Sequence, residues 1–357
     1  KKQLFVMITG VTIDLLSFLN TPSYRNRVLA IGIGTAGCRI ASQLQHMSSS
    51  IGKFIYVSCD EQDFPQIGER ILIPLGVLGK LSPKVVRGAA LKYLKNIDEL
   101  MKDSFLIFLI SGLGGSVGTG LAPLLAERIH KSGALGVGIF TMPFKFEKDK
   151  HFYSAITLQR LKGLMDAMII IDNDEILESM KELPIIDSYK SINRLIASAL
   201  NSMIEASAES GLNVGIRKFI DTVKCNGYSI LCLSQSSSIN RGEEAIIGAI
   251  HSLYRVADPE KATKAILFLM GGSVSLNEVS TVISRLNSLV GNGAVEIHYG
   301  VNNNLSTNSL LTVALLTSGF PKTKFDDYDP FAKIPYNIDD EVDISIDLEL
   351  PKLERID

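Results

Sequence analysis

Short, continuously apolar runs alternate with helical stretches through most of the chain, which predicts a parallel sheet with crossover helices. Residues 28–31, 54–57, 105–110, 135–140 and 168–171 read as strands with no polar face, as expected where helices cover both sides of a sheet. The stretch 188–210 has no Pro or Gly and places Ile192, Leu195, Ile196, Ala199, Leu200 and Met203 at helical spacing. It predicts one long helix, stopped by Gly211. Beyond it, apolar runs at 230–233, 265–270, 294–299 and 311–316 alternate with helical segments around 243–255 and 277–290, a second α/β unit. From Lys322 the periodicity fades and the chain reads as a tail.

The chain has 357 residues, 46% of them hydrophobic, so it can bury the cores of two domains at roughly 100–200 residues each. Its net charge of −2 supplies no concentrated basic surface, and nucleic acid is not an expected partner. No stretch offers the ~20 uninterrupted apolar residues of a membrane span. Lys1-Lys2 before Leu4-Phe5-Val6-Met7-Ile8 looks faintly like a signal segment. Asp14 interrupts it and no small-x-small cleavage site follows, so a packing extension is expected instead. Cys38, Cys59, Cys225 and Cys232 show neither CxxC pairing nor His partners at metal spacing, which predicts reduced thiols in a cytoplasmic protein.

Candidate chemistry sits in two glycine loops. Gly32-Ile33-Gly34-Thr35-Ala36-Gly37 follows one strand and opens a helix, where backbone N–H groups and the helix terminus favour phosphate. Alone it suits a nicotinamide-dependent oxidoreductase, with Asp60 closing the next strand near a ribose. A second loop changes the picture. The strand 105–110 runs into Ser111-Gly112-Leu113-Gly114-Gly115-Ser116-Val117-Gly118-Thr119-Gly120, and one dinucleotide site does not call for two such cradles. Tyr189 and Asn193 stand at i, i+4 on the long helix and share a face. A ring there can stack on a purine while an amide bonds its edge. Spacing alone leaves guanine and adenine both open, and an ordinary helix start is the plain alternative.

The stretch from Gly114 to Gly120 resembles the GGGTGTG signature of the FtsZ/tubulin superfamily, and the similarity extends over about residues 28–320. Gly34-Thr35-Ala36-Gly37-Cys38-Arg39-Ile40 is similar to its GxxGxxI phosphate loop. Thr141-Met142-Pro143-Phe144-Lys145-Phe146-Glu147 is similar to TKPFNFEG, and Asp172-Asn173-Asp174 to PND. The resemblance implies a Rossmann-like nucleotide-binding domain over 27–186, a long central helix over 187–211, and a smaller α/β C-terminal domain over 212–320. Residues 1–26 form an extension and 321–357 an acidic tail.

It further implies GTP or GDP as ligand. Gly34, Thr35, Ala36, Gly37, Gly79, Lys80 and the residues Gly114, Gly115, Ser116, Val117, Gly118, Thr119 and Gly120 would hold phosphate. Arg39, Glu147, Asn173, Tyr189 and Asn193 would hold ribose and base, with Asp60 near a possible magnesium. His151 stands where FtsZ places an arginine near the ribose.

The departures concern mechanism. In this superfamily a neighbouring subunit completes the site with a loop reading NxDxxD in FtsZ. The matching residues here are Asn213-Val214-Gly215-Ile216-Arg217-Lys218, so both carboxylate positions are lost, to Gly215 and Lys218. Orienting an attacking water requires an acceptor, and an ammonium has none. Lys218 is read either as a clamp on the neighbour's phosphates, as in β-tubulin, or as a solvated charge. Asp221, one turn on, is a candidate substitute acid. Val117 replaces the signature threonine and removes a hydroxyl donor.

The expectation is therefore a guanine-nucleotide-binding cytoskeletal or cell-division protein that associates head to tail, or co-assembles with a catalytic FtsZ-like paralogue, with hydrolysis weak or absent. A conventional assembling GTPase using Asp221 and, more distantly, an NAD-dependent oxidoreductase are the alternatives. The tail could recruit a membrane adaptor, as FtsZ tails do, or serve as a solubilising segment.

Overall fold

A computed structural model of the protein describes residues 5–8, 11–14, 24–75, 81–178, 184–205, 214–290, 295–303 and 309–326. In the expected extension, β1 (Phe5–Ile8) pairs antiparallel with β2 (Val11–Asp14). The body is one ten-stranded sheet. Its first half holds β3 (Val28–Ile33), β4 (Lys53–Ser58), β5 (Glu69–Leu72), β6 (Leu106–Gly112), β7 (Leu135–Met142) and β8 (Ala167–Asp172). The second half holds β9 (Tyr228–Ser236), β10 (Lys264–Gly271), β11 (Glu296–Asn302) and β12 (Leu311–Phe320).

The strand order is β11-β10-β12-β9-β8-β7-β6-β3-β4-β5. Within this sheet, among the described residues, only β12 runs antiparallel, to β9 and β10. The expected α/β architecture is present, and its two halves share hydrogen bonds: Met168, Ile169 and Ile170 of β8 pair with Tyr228, Ser229 and Ile230 of β9. The edge strand β5 escapes the sequence pattern because Glu69 and Arg70 are exposed.

Helices α1 (Gly34–Met47), α2 (Pro83–Ala90), α3 (Leu94–Met101), α4 (Ser116–Ser132), α5 (Lys148–Leu161) and α6 (Asn173–Leu177) connect the first half. After them come α7 (Ile185–Ile204), α8 (Gly215–Val223), α9 (Arg241–Val256) and α10 (Leu276–Leu289). The pleat sends alternate residues to opposite faces. Leu29, Ile31 and Ile33 of β3 therefore belong to the core layer that α2–α5, α9 and α10 cover along the sheet. Val28 and Ala30 of the same strand pack beneath α1, α7 and α8. Burial on both faces explains why the strands are apolar without alternation.

The long helix is shorter than its apolar pattern. It starts at Ile185 and ends at Ile204, and Glu205 is already extended at φ −73° and ψ 132°. The Glu205 carboxylate accepts from Ser48 Oγ, Ser49 N and Ser50 N, each at 2.7 Å. A charge-assisted set of this kind outweighs one more helical turn; Gly211 lies outside the described residues.

The expected tail also starts later than its fading periodicity suggests. Thr323 and Phe325 are buried, and Lys324 N donates to Val256 O at 2.8 Å. Among the described residues no helix is long and apolar enough to cross a membrane. All four cysteines are free thiols; Cys38 and Cys232 are buried, and burial pushes the half-buried Cys59 thiol up to about 11.

Candidate functional site

Both glycine loops open onto one cavity of about 440 Å³ at the carboxyl ends of β3, β6, β7 and β8, where ligands bind in open α/β sheets. Two helices point their N-termini into it. The α1 N-cap, Ile33, and the α4 N-cap, Gly115, make no side-chain cap, and neither helix carries an acid in its first turn. Their leading N–H groups thus lack the side-chain acceptors usual at that position and carry the positive end of each helix dipole.

The glycines divide by role. A Cβ on Gly37 would lie 2.2 Å from Ile110 O, and one on Gly118 would lie 2.0 Å from Gly112 O. These two let α1 and α4 pack against β6. Gly120 likewise lets α4 approach Pro83 of α2, with a Cβ at 2.6 Å from its carbonyl oxygen. Gly114, at φ +95°, turns the loop beside Lys150. A Cβ on Gly115, in contrast, meets nothing within 4 Å, and Gly115 lines the cavity. Protein packing does not demand a glycine there, whereas close approach of a ligand does. Gly34, Thr35, Ala36, Ser116, Val117 and Gly118 complete the cradle wall. Thr119 does not line it, but its Oγ1 is buried without a partner.

On the opposite wall, α6 presents Asn173 while α7 presents Tyr189 and Asn193. Asn173 Oδ1 is buried with no hydrogen-bond partner, a costly state that an added donor relieves. The Tyr189 ring stands edge-on to Phe144 at 5.0 Å, so a neighbouring residue fixes its orientation. Burial, then the nearby Glu147 carboxylate, hold its hydroxyl above the usual phenol range. Glu147 itself accepts from Phe144 N at 3.0 Å and pairs with Lys150 Nζ at 2.5 Å. Arg39 also lines the cavity.

Lys150 went unrecognised in the sequence, although its i, i+3 spacing from Glu147 signals the pair. Ile192 reads as a core position and lines the same wall. The wall residues fit a phosphorylated purine: uncapped helix ends on one side, a ring and two amides on the other.

Other expected site residues fall elsewhere. Gly79, Lys80 and Asn213 lie outside the described residues. Asp60 does not line the cavity; its Oδ1 accepts from Gln62 N at 2.9 Å and caps a short 3-10 helix. Glu147 is the lone carboxylate among the lining residues, and it is already engaged by Phe144 N and Lys150. His151 does not line the cavity. Its Nε2 lies 2.9 Å from Phe144 O, and the ring lines a separate cavity of about 200 Å³.

Helix α8 occupies the opposite pole. Strand β10 is parallel to β11 and, through antiparallel β12, to β9 and β8. Lys264, at the start of β10, therefore lies at the sheet end far from Asp172. Its Nζ reaches Asp221 Oδ2 of α8 at 2.5 Å. Helix α7 spans about 30 Å between the two poles at 1.5 Å per residue. Gly215 opens α8 at φ +73°, and Lys218 is exposed. Asp221, Glu296 and His298 bring ligand atoms within 4.8 Å of one another. The Lys264 ammonium already supplies that group with positive charge.

A family model described as the Tubulin/FtsZ family, GTPase domain, matches residues 27–181. The chain is 30% identical over 265 residues to cell division protein FtsZ 1 of Pyrococcus furiosus, covering 72% of this chain and 71% of that one. This chain belongs to the tubulin/FtsZ family. It is 27% identical over 317 residues to FtsZ 1 of Methanocaldococcus jannaschii, 86% of each chain. Among solved structures, an empty FtsZ dimer from M. jannaschii superposes with a TM-score of 0.70 at 26% identity, covering 85% of this chain and 91% of that one. CetZ2 of Haloferax volcanii, solved as a GTPγS-bound protofilament, shares the fold at 17% identity and a TM-score of 0.62, covering 84% of this chain and 94% of that one. The cavity described above falls largely inside the segment the family model matches.

Proposed function

We propose that this protein binds GTP or GDP in the cavity between α1, α4, α6 and α7 and joins head-to-tail filaments as a cytoskeletal or cell-division protein. The observation that carries the reading is the pair of uncapped helix N-termini facing a wall of Asn173, Tyr189 and Asn193. The N–H groups of both helices hold the phosphates, the Tyr189 ring stacks on the base, and the Asn173 and Asn193 amides bond its edge. A nicotinamide enzyme would not call for the second cradle.

The site and α8 lie at opposite poles, so each copy offers its neighbour a different surface, which generates an open filament. The α8 of the next copy then brings Lys218 to the phosphates. An ammonium stabilises phosphate charge but accepts no proton from water, so hydrolysis in a homopolymer is weak or absent. Co-assembly with an acid-bearing FtsZ-like paralogue would restore a proton acceptor at this cavity. A cytoplasmic location and a tail that recruits a membrane adaptor belong to the same proposal and rest on the family resemblance.

A second reading keeps Asp221 as the acid. It is exposed and on the same face as Lys218, three residues on, but its carboxylate is tied to Lys264 and must be released to act. One experiment separates the readings: identify the nucleotide retained by purified protein, then measure GTP turnover over a range of protein concentrations. Retained guanosine phosphate with negligible turnover at every concentration is the expected result. Turnover that rises with assembly and collapses in Asp221→Asn supports the second reading. Absence of any guanosine phosphate affinity overturns both.

A further inference from the structure

The base-binding wall is built on a buried charge cluster that reaches the C-terminal segment. Asp172 closes β8 and caps α6, its Oδ1 accepting from Asp174 N at 3.0 Å. The next residue is Asn173, which lines the cavity. The other Asp172 oxygen accepts from Lys324 Nζ. Asp172 is 3% exposed and Glu175, on α6, 5%, so two carboxylates inside the protein need cations. Arg255 Nη1 serves Glu175 at 2.9 Å, while Lys324 lies on Asp172 and 3.9 Å from Glu175.

Lys324 is held in turn by the fold of its own segment. Asp326 Oδ2 accepts from Thr323 N at 2.8 Å, and Asp326 Oδ1 accepts from Tyr228 Oη and Gln159 Nε2, both at 2.9 Å. Phe325 is buried, and Lys324 Nζ stands 5.1 Å from the centre of its ring. The segment 321–326 is therefore a strap latched by Asp326 and ending on the residue that sets the geometry of α6.

We infer that Lys324 is a positioning residue for the base-binding wall, so that the C-terminal strap contributes to guanine affinity from outside the cavity. The inference rests on the proposed nucleotide site. A carboxylate this deeply buried keeps its place only while its charge is paired. Without Lys324, Asp172 turns toward water or other donors, the α6 cap loosens, and the Asn173 amide loses its aim. The hydrogen bonds and ion pairs of residues 323–326 run to Asp172, Glu175, Gln159, Tyr228 and Val256, so the glycine cradles on α1 and α4 should be unaffected. The coupling is reciprocal: whatever the strap gives to base binding, base binding returns as stability of the strap.

The test compares GDP with inorganic tripolyphosphate, which engages the cradles but has no base, by calorimetry on the full chain. Lys324→Met is expected to weaken GDP at least tenfold and tripolyphosphate less than twofold, with Lys324→Arg restoring GDP to within about threefold. Asp326→Ala, which releases the latch without removing the cation, is expected to act in the same direction to a smaller extent. Hydrogen exchange on the unmutated protein adds an arm that needs no variant to fold: GDP should slow exchange of the 323–326 amides and tripolyphosphate should not. Equal GDP affinity in folded Lys324→Met or Asp326→Ala, or strap exchange indifferent to GDP, overturns the inference. Unmutated protein that binds tripolyphosphate and GDP equally, or neither, instead overturns the nucleotide site on which it rests.

Discussion

Replacing Gly115 with Ala separates what the second glycine loop does for the fold from what it does for a ligand. The backbone at Gly115 sits at φ −78° and ψ 153°, a conformation open to any residue. An added Cβ meets nothing within 4 Å, so no overpacking arises. Loss of chain entropy in the unfolded state stabilises by about 0.4–1 kcal/mol, and the poorer N-cap preference of Ala offsets it by a similar amount. Thermal stability should move by no more than a few degrees. The methyl group enters the cavity beside the uncapped α4 N–H groups. Forcing a phosphate oxygen off one of them forfeits a charge-assisted bond of about 1.5–3 kcal/mol, or roughly 10- to 100-fold in affinity.

Gly37→Ala is the counterpart. Its Cβ would lie 2.2 Å from Ile110 O, backbone against backbone. Helix α1 must retreat by about 1 Å to regain ordinary contact, costing about 1–3 kcal/mol or more in stability. Calorimetric titration with GDP and a thermal melt of each variant make the comparison. A Gly115→Ala protein that melts normally and binds GDP within twofold of the parent refutes the assignment of this loop to phosphate.

Three further outcomes follow from the same geometry. Tyr189→Ala should lower GDP affinity by about 1–3 kcal/mol, the worth of one base–aromatic stack, while Tyr189→Phe, which keeps the ring against Phe144, should bind nearly as well; equal loss in both would mean the hydroxyl matters and the ring does not. Lys218→Asp returns a carboxylate to the α8 surface and should raise GTP turnover at assembling concentrations at least tenfold; no rise, with filaments intact, counts against a catalytic role for that surface. Burial raises the Cys59 thiol from 9.0 to about 11, so its share of stability is complete below pH 9.0 and is lost as pH climbs toward 11. Alkylation of Cys59 should accordingly be slow at pH 8 and accelerate up to about pH 11, and rapid labelling at pH 8 would contradict its burial.

The linear sequence determined nine of the ten strands of the sheet, the long helix and both glycine loops, because each depends on local rules. Short apolar runs with no polar face, alternating with helical stretches, read as strands buried on two sides, and a strand that runs into glycines before a helix offers no capping side chain to the first N–H groups. The i, i+4 spacing likewise put Tyr189 and Asn193 on one face of α7. Tertiary structure decided what depends on partners remote in the chain. It ended α7 at Ile204, because Glu205 finds the N–H groups of Ser49 and Ser50 across 155 or more residues. It tied Asp221 to Lys264, 43 residues on. It also drew Lys324 onto Asp172, a pair separated by 152 residues. Two buried carboxylates need cations wherever the chain can deliver them, and no local pattern records which lysine arrives.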